Sequence, residues 1–207
     1  MLFHTVPRKF EGDTLEPRTF VTADRGIDEG HYIFATGNQQ LSACYAIPNG
    51  HKHFSDMLDD GAMLLMIQAK TMAMDTALDA TMFTVPREVF TPFPGKDDQH
   101  VCAYEIQRSE MAVHRRIENF DDMMTMGLQI FVPAEQPKTD QDWDKLSPSA
   151  GQNCLKFLKQ LHDEGQVRWL NAERGINPHP HVAQAFGLSM QEPTQQAKAT
   201  PAARVSK

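Results

Sequence analysis

The sequence has few cysteines and no long apolar run. Its three cysteines, Cys44, Cys102 and Cys154, are odd in number and far apart. They do not suit a disulfide framework and indicate a reducing, cytoplasmic location. The longest apolar run spans residues 62–67, far short of the roughly 20 residues that cross a bilayer. The first ten residues lack the basic-then-apolar order of a secretory signal, so we expect a soluble protein with no membrane partner.

Basic clusters and glycine-rich phosphate loops are also missing. The formal net charge is −7 and no long basic run occurs, which argues against broad electrostatic binding to nucleic acid. A local positive patch is still compatible with this charge, because Arg8, Lys9, Arg18 and Arg25 lie near one another in the N-terminal segment. Without a glycine-rich loop, the Rossmann and Walker types of nucleotide site are disfavoured. Two His-x-His pairs, at 51–53 and 179–181, have no supporting cysteine or carboxylate at a fixed spacing, so we predict no metal site.

Short apolar runs and turn signals predict an α+β fold. The predicted strands cover residues 2–6, 31–36, 81–86, 100–107 and 127–133. Asn38 is predicted to cap a helix that carries Leu41 and Tyr45 on one face. Residues 7–30 are predicted to form a long loop. The Met- and Ala-rich region 54–82 mostly favours helix, although its apolar run is also compatible with a strand.

The C-terminal part contains one clear helix signal and a polar tail. Ser147 as cap and Pro148 in the first turn predict a helix that ends before Gly165. Its buried stripe is predicted to comprise Cys154, Phe157, Leu158 and Leu161. Residues 190–207 are polar and rich in Pro and Ala, which is typical of a disordered tail. We therefore predict one domain over residues 1–189, with a helical insert in the Met-rich segment 57–82.

Two short segments carry a more specific pattern. "LFHTVP" (2–7) contains His4-Thr5, and "HYIFATGNQQLSACYAI" (31–47) places Tyr45 eleven residues after Phe34. In order and spacing, these segments resemble the NAD-binding half of the ADP-ribosyltransferase fold, in the branch of diphtheria toxin and the poly(ADP-ribose) polymerases. In that branch His is followed by Gly-Thr or Gly-Ser, and a group of anti-CRISPR ADP-ribosyltransferases opens with Phe-His-Thr. The resemblance covers about the first 50 residues.

The resemblance implies small, split, mostly antiparallel sheets and NAD as co-substrate. The aromatic rings of Phe34 and Tyr45 would hold the cationic nicotinamide ring between them, since an aromatic face attracts a cation. His4 would hydrogen-bond the adenosine ribose, and the backbone at Thr5 would pair with the carboxamide. Ala35 lies in the same strand end and belongs to the implied cofactor-binding set.

The family's catalytic glutamate has no direct counterpart. In the aligned segment "HVCAYEI", His100 stands where the glutamate is expected. Asp98 can serve from a shifted position, an acid can come from the later cluster of Glu118, Asp121 and Asp122, or the carboxylate is absent. The predicted catalytic residues are His4, Tyr45 and Asp98, and the predicted cofactor-binding residues are His4, Thr5, Phe34, Ala35 and Tyr45.

The implied activity is that of an NAD-dependent mono-ADP-ribosyltransferase, an effector or modifier that acts on a protein or nucleic-acid acceptor, with a protein as the favoured acceptor. Chain elongation is not expected, because family members without the glutamate transfer one ADP-ribose or none. The alternative is a non-catalytic interaction or structural protein that keeps this fold without the acid. In a third interpretation, His4 is an ordinary polar strand residue and Tyr45 packs with Leu41 between helix and sheet.

Overall fold

The computed structural model describes residues 1–20, 30–48, 52–68, 71–93 and 96–188, which form a mixed α+β structure. The strands are β1 (Leu2–Val6), β2 (Thr14–Leu15), β3 (Arg18–Phe20), β4 (Gly30–Thr36), β5 (Lys52–Met57), β6 (Met63–Ile67), β7 (Ala80–Val85), β8 (Thr91–Phe93), β9 (Lys96–Cys102), β10 (Ile106–Gln107), β11 (Ala112–Ile117), β12 (Leu128–Pro133) and β13 (Val167–Trp169). The helices are α1 (Gln39–Ala43), α2 (Thr71–Asp75), α3 (Phe120–Thr125), α4 (Asp140–Asp144), α5 (Cys154–Asp163), α6 (Leu170–Arg174) and α7 (Pro180–Ala185).

Two open sheets form the body of the structure. The first has the order β11-β7-β1-β4-β9-β8, with β3 also paired to β4, and all of its strand pairs are antiparallel. The second has the order β13-β12-β6-β5, in which β12 and β6 are parallel and the other pairs antiparallel. A short β10–β2 pair lies apart from both. The prediction of an α+β fold with mostly antiparallel sheets is confirmed.

The apolar side chains separate into three layers. One cluster contains Phe3 from the first sheet, Leu65 and Ile130 from the second, and residues of α1 and α3. A second cluster packs the opposite face of the second sheet against α5 and α7. A third covers the opposite face of the first sheet, around Leu2 and Ile33. Both sheets are therefore buried on both faces over their central strands.

The prediction of a mainly helical region over residues 54–82 is wrong. It contains β5, β6 and the start of β7, while its helical part is the five-residue α2. All five residues of β6 are buried, with Leu65 facing the layer between the sheets and Leu64 facing α5 and α7. A strand covered on both faces reads as a continuous apolar run. Composition alone therefore could not separate it from a helix.

Two other predicted elements have different bounds. The predicted strand 100–107 ends at Cys102, and the chain turns before β10 pairs with β2. The predicted helix starts with Asn153 as its cap rather than Ser147, because a turn closed by Gln152 and the positive φ of 77° at Gly151 interrupt the chain first. Gly165 follows the helix end, as predicted.

Several predictions concern the chain outside these elements. The loop predicted over 7–30 contains β2 and β3, and its residues 21–29 lie outside the described part, as does the predicted tail 190–207. The three cysteines are free thiols; Cys44 and Cys102 are buried and Cys154 is half-buried. Within the described ranges, no helix combines the length and the apolar character needed to cross a membrane.

Asn171 lies in the first turn of α6, directly after β13, and its side chain bonds to the edge of β12. Its fully buried side chain accepts a hydrogen bond from the backbone N–H of Ile130 (2.8 Å) and donates one to the carbonyl of Leu128 (2.8 Å). The amide thus takes the place of a neighbouring strand for these two residues of β12. Burying backbone groups without a partner is costly, so this side chain holds α6 on the sheet.

Replacing Asn171 by leucine should lower the free energy of unfolding by about 2–4 kcal/mol, because two buried backbone groups lose their partners. Urea denaturation measures this change. The control Gln160→Leu removes an exposed amide on α5 and should change stability by less than about 0.5 kcal/mol. Equal effects of the two substitutions would contradict the role assigned to Asn171.

Candidate functional site

The site begins where β1 separates from β4. These strands pair through Phe3 and Thr36 alone. On its other side, β1 pairs with β7 over its whole length, from Leu2 to Val6. Beyond the Phe3–Thr36 pair, the edges of β1 and β4 are not joined by a ladder, and a cleft opens at this seam.

His4 bridges the seam with its side chain. Its Nδ1–H donates to the backbone carbonyl of Phe34, 2.6 Å away. Burial is the largest effect on this histidine and lowers its pKa below the ordinary value of 6.5; the carbonyl opposes that shift, and the positive charge of Arg18 adds to it. The imidazole is therefore neutral near pH 7, with Nε2 as a hydrogen-bond acceptor.

Helix α1 forms a second wall of the cleft and is fixed from both ends. The side chain of Asn38 caps it by accepting from the N–H groups of Gln40 and Leu41. The Thr5 hydroxyl on β1 lies 2.8 Å from the Ser42 hydroxyl on α1, and both residues are buried. The predicted helix is shorter than expected, so Tyr45 lies after α1 in the 3-10 turn Cys44–Ala46, where it is 41% exposed.

Phe34 belongs to a row of aromatic side chains. Its ring contacts Tyr32 at 6.4 Å and Phe93 at 5.6 Å between centroids, both in edge-to-face geometry. Edge-to-face packing holds a ring in one orientation while leaving part of its face uncovered. The half-buried Phe34 therefore offers a fixed aromatic surface to the cleft.

All six residues predicted from the sequence line one cleft of about 860 Å³. They are His4, Thr5, Phe34, Ala35, Tyr45 and Asp98. Small-molecule sites typically occupy about 300–1,000 Å³, so this cleft has room for a ligand of nucleotide size. The opening strand and the first helix contribute to the same concave surface.

Strand β9 brings Asp98 and Gln99 into the cleft. The register pairs Gln99 with Thr36 and His100 with Ala35. Paired residues of adjacent strands point to the same face of a sheet, so Gln99 lies on the face of Thr36, whereas Asp98 and His100 alternate to the other face. The exposed Asp98 reaches the cleft from the first part of β9.

His100 is not among the residues that line the cleft. It is 7% exposed, and its Nδ1 has no hydrogen-bond partner among the described residues. Burial lowers the pKa of His100, the charge of Arg87 lowers it further, and Asp98 partly opposes both. The position aligned with the family's glutamate is thus a buried neutral imidazole.

The acidic residues of the later cluster form hydrogen bonds and ion pairs that stabilise the structure around α3. Asp122 accepts a hydrogen bond from the backbone N–H of Glu118, at 2.8 Å. Asp121 pairs with Arg174, which also binds Asp75 at 2.7 Å. None of these side chains lines the cleft described above. Among the three alternatives for the acid, Asp98 is the one that lines the same cleft as His4 and Tyr45.

Several cleft residues were missed by the sequence analysis. They are Arg18, Tyr32, Ser42, Asp56 and Gln99. Ser42 had a usable signal, because it precedes Tyr45 by three residues on a predicted helix. Asp56 had none, because its segment was predicted to be helical. Within the described ranges, no group of three or more His, Cys, Asp or Glu residues is placed to hold a metal ion.

The lowered pKa values of His4 and His100 make stability depend on pH. Below about pH 6.5 the unfolded chain binds protons that the folded chain does not, so the free energy of unfolding should fall as pH drops through that window. We expect the urea midpoint to decrease between about pH 7 and about pH 5, and His4→Gln to reduce this decrease. Measurements near pH 8, where both forms are neutral, provide the control; an unchanged slope would contradict the burial of a neutral His4.

Comparisons with protein-family models, with curated proteins and with solved structures gave no match to this chain. The functional assignment therefore depends on the cleft and its residues.

Proposed function

We propose that this protein is an NAD-dependent mono-ADP-ribosyltransferase that modifies a macromolecular acceptor. The observation that carries the proposal is the convergence of His4, Phe34, Tyr45 and Asp98 on one cleft. These residues are spread over 95 positions of the chain. The fold brings them to one concave surface.

Each part of NAD has a suitable neighbour in the cleft. The cationic nicotinamide ring would lie against the faces of Phe34 and Tyr45. A ribose hydroxyl would donate to Nε2 of His4, because Nδ1–H is already used by the Phe34 carbonyl. The carboxamide would bind the unpaired backbone edge at Thr5, next to the hydroxyl of Ser42.

The transfer reaction would break the bond between the nicotinamide nitrogen and C1′ of its ribose. The nitrogen keeps the electron pair, so nicotinamide leaves as a neutral molecule and the ribose develops oxocarbenium character. The Asp98 carboxylate would stabilise that positive charge, which is largest in the transition state. An acceptor nucleophile would then bond to C1′ and lose a proton, which leaves one ADP-ribose on the acceptor.

The charges around the cleft favour a protein acceptor over a nucleic acid. Glu16, Asp56 and Asp98 bring three carboxylates to its lining. The chain as a whole carries a formal charge of −7. Both would repel the phosphate backbone of DNA or RNA. A protein side chain with a neutral or basic nucleophile meets no such repulsion.

A second candidate is a non-catalytic protein that binds NAD or a related nucleotide. The position of Gln99 favours it, because the register places an amide rather than a carboxylate on the face of Thr36. An amide would bind ligand hydroxyls but cannot balance the charge of an oxocarbenium ion. Release of nicotinamide separates the two candidates.

Tyr45→Ala should weaken NAD binding by about 1–2 kcal/mol, roughly tenfold in Kd, because the cationic ring loses one aromatic face. Isothermal titration calorimetry measures the change. Tyr104→Ala is the matched control, since Tyr104 is 75% exposed and lies outside the cleft. Identical Kd values for wild type and Tyr45→Ala would overturn the proposed stacking.

Asp98→Asn should reduce nicotinamide release roughly a hundredfold, with little change in the Kd for NAD, because the carboxylate acts on charge that develops in the transition state. Nicotinamide release is measured by chromatography, with a mixture of proteins supplied as acceptors. Glu105→Gln, which removes an exposed carboxylate outside the cleft, serves as the control. NAD binding by the wild type without any release would favour the second candidate.

A further inference from the structure

The cleft has one strongly basic side chain. Among the described residues that line it, Arg18 is the only lysine or arginine, and the same lining contains the three carboxylates of Glu16, Asp56 and Asp98. A dinucleotide carries two negative charges on its diphosphate. A lining that is acidic overall would repel that diphosphate unless a cation is placed to receive it.

Strand pairing holds the backbone of Arg18, and its side chain is exposed. It lies on β3, where it pairs with Tyr32 of β4. It forms no ion pair with the described carboxylates, unlike Arg168 and Arg174, which bind Glu173 and Asp75. Its side chain lines the same cleft as His4, and its positive charge contributes to the lowered pKa of that histidine.

We propose that Arg18 binds the diphosphate of the co-substrate and thereby selects ligands that contain a nucleoside diphosphate over nicotinamide riboside. This inference rests on the proposed function, because the same cleft is involved. A guanidinium presents a planar fork of N–H donors that matches two phosphate oxygens, which an ammonium cannot do. In this arrangement the nicotinamide ring would lie against Phe34 and Tyr45, and the diphosphate would lie near Tyr32, the strand partner of Arg18.

Arg18→Gln tests this assignment, with NAD, ADP-ribose and nicotinamide riboside as probes in isothermal titration calorimetry. We expect a loss of about tenfold or more in affinity for NAD and ADP-ribose, and no change for nicotinamide riboside. Arg18→Lys keeps the charge without the fork and should give an intermediate loss. Arg116→Gln makes the same charge change on exposed β11, outside the cleft, and should leave all three affinities unchanged.

A titration of His4 by NMR checks that Arg18→Gln leaves the surrounding structure intact. Because the positive charge of Arg18 lowers the pKa of His4, the substitution should raise that pKa in the free protein. The titration therefore measures the electrostatic coupling between the two side chains without any ligand, and an unchanged His4 pKa would contradict their proximity.

The outcomes separate this inference from the proposed function. An unchanged affinity for NAD in Arg18→Gln, or an equal loss for nicotinamide riboside, would overturn the role of Arg18. Binding of ADP-ribose that depends on Arg18, without binding of NAD, would support the diphosphate assignment and reject the transferase. If no diphosphate ligand binds the wild type, both proposals are wrong.

Discussion

The candidate site depends on the early separation of β1 from β4. Two adjacent antiparallel strands normally bond along their whole length, because buried backbone groups need partners. Here the ladder stops after the Phe3–Thr36 pair, and the imidazole of His4 takes over the carbonyl of Phe34. A side chain thus replaces a backbone donor, and the backbone edges beyond it stay open to a ligand.

Such a seam is stable because each of its strands is held by other neighbours. β1 pairs fully with β7, and β4 pairs with both β9 and β3. Apolar layers cover both faces of the sheet, around Phe3 on one side and Ile33 on the other. The hydroxyl contact between Thr5 and Ser42 then fixes α1 across the opening. The cleft is therefore a local gap in a well-packed sheet, which suits a preformed binding site.

Local sequence patterns predicted the secondary structure around the seam better than the architecture beyond it. His4, Phe34 and Tyr45 lie in short segments whose type follows from local pattern, and the cap at Asn38 was predicted correctly. β6 was not predictable as a strand, because burial on both faces erases the alternation that marks strands. Arg18 was recognised as basic but not as part of the cleft, since its position depends on the pairing of β3 with β4. Asn171 hydrogen-bonds the backbone of Ile130 and Leu128, which lie 41 and 43 positions earlier in the chain. No local sequence pattern predicts such a contact.

The charges of the cleft also bear on the extent of the proposed reaction. His4 accepts a hydroxyl only while neutral, and burial, the largest effect on its pKa, lowers that pKa below the ordinary value. Asp98 precedes Gln99 in β9. The strand register places the Gln99 amide, and not the Asp98 carboxylate, on the same sheet face as Thr36. A carboxylate displaced by two residues from the aligned position could still balance charge at C1′, because Coulomb attraction acts beyond direct contact. Activation of a second ribose hydroxyl demands direct hydrogen-bond contact with a base. A displaced acid therefore favours transfer of one ADP-ribose over chain elongation.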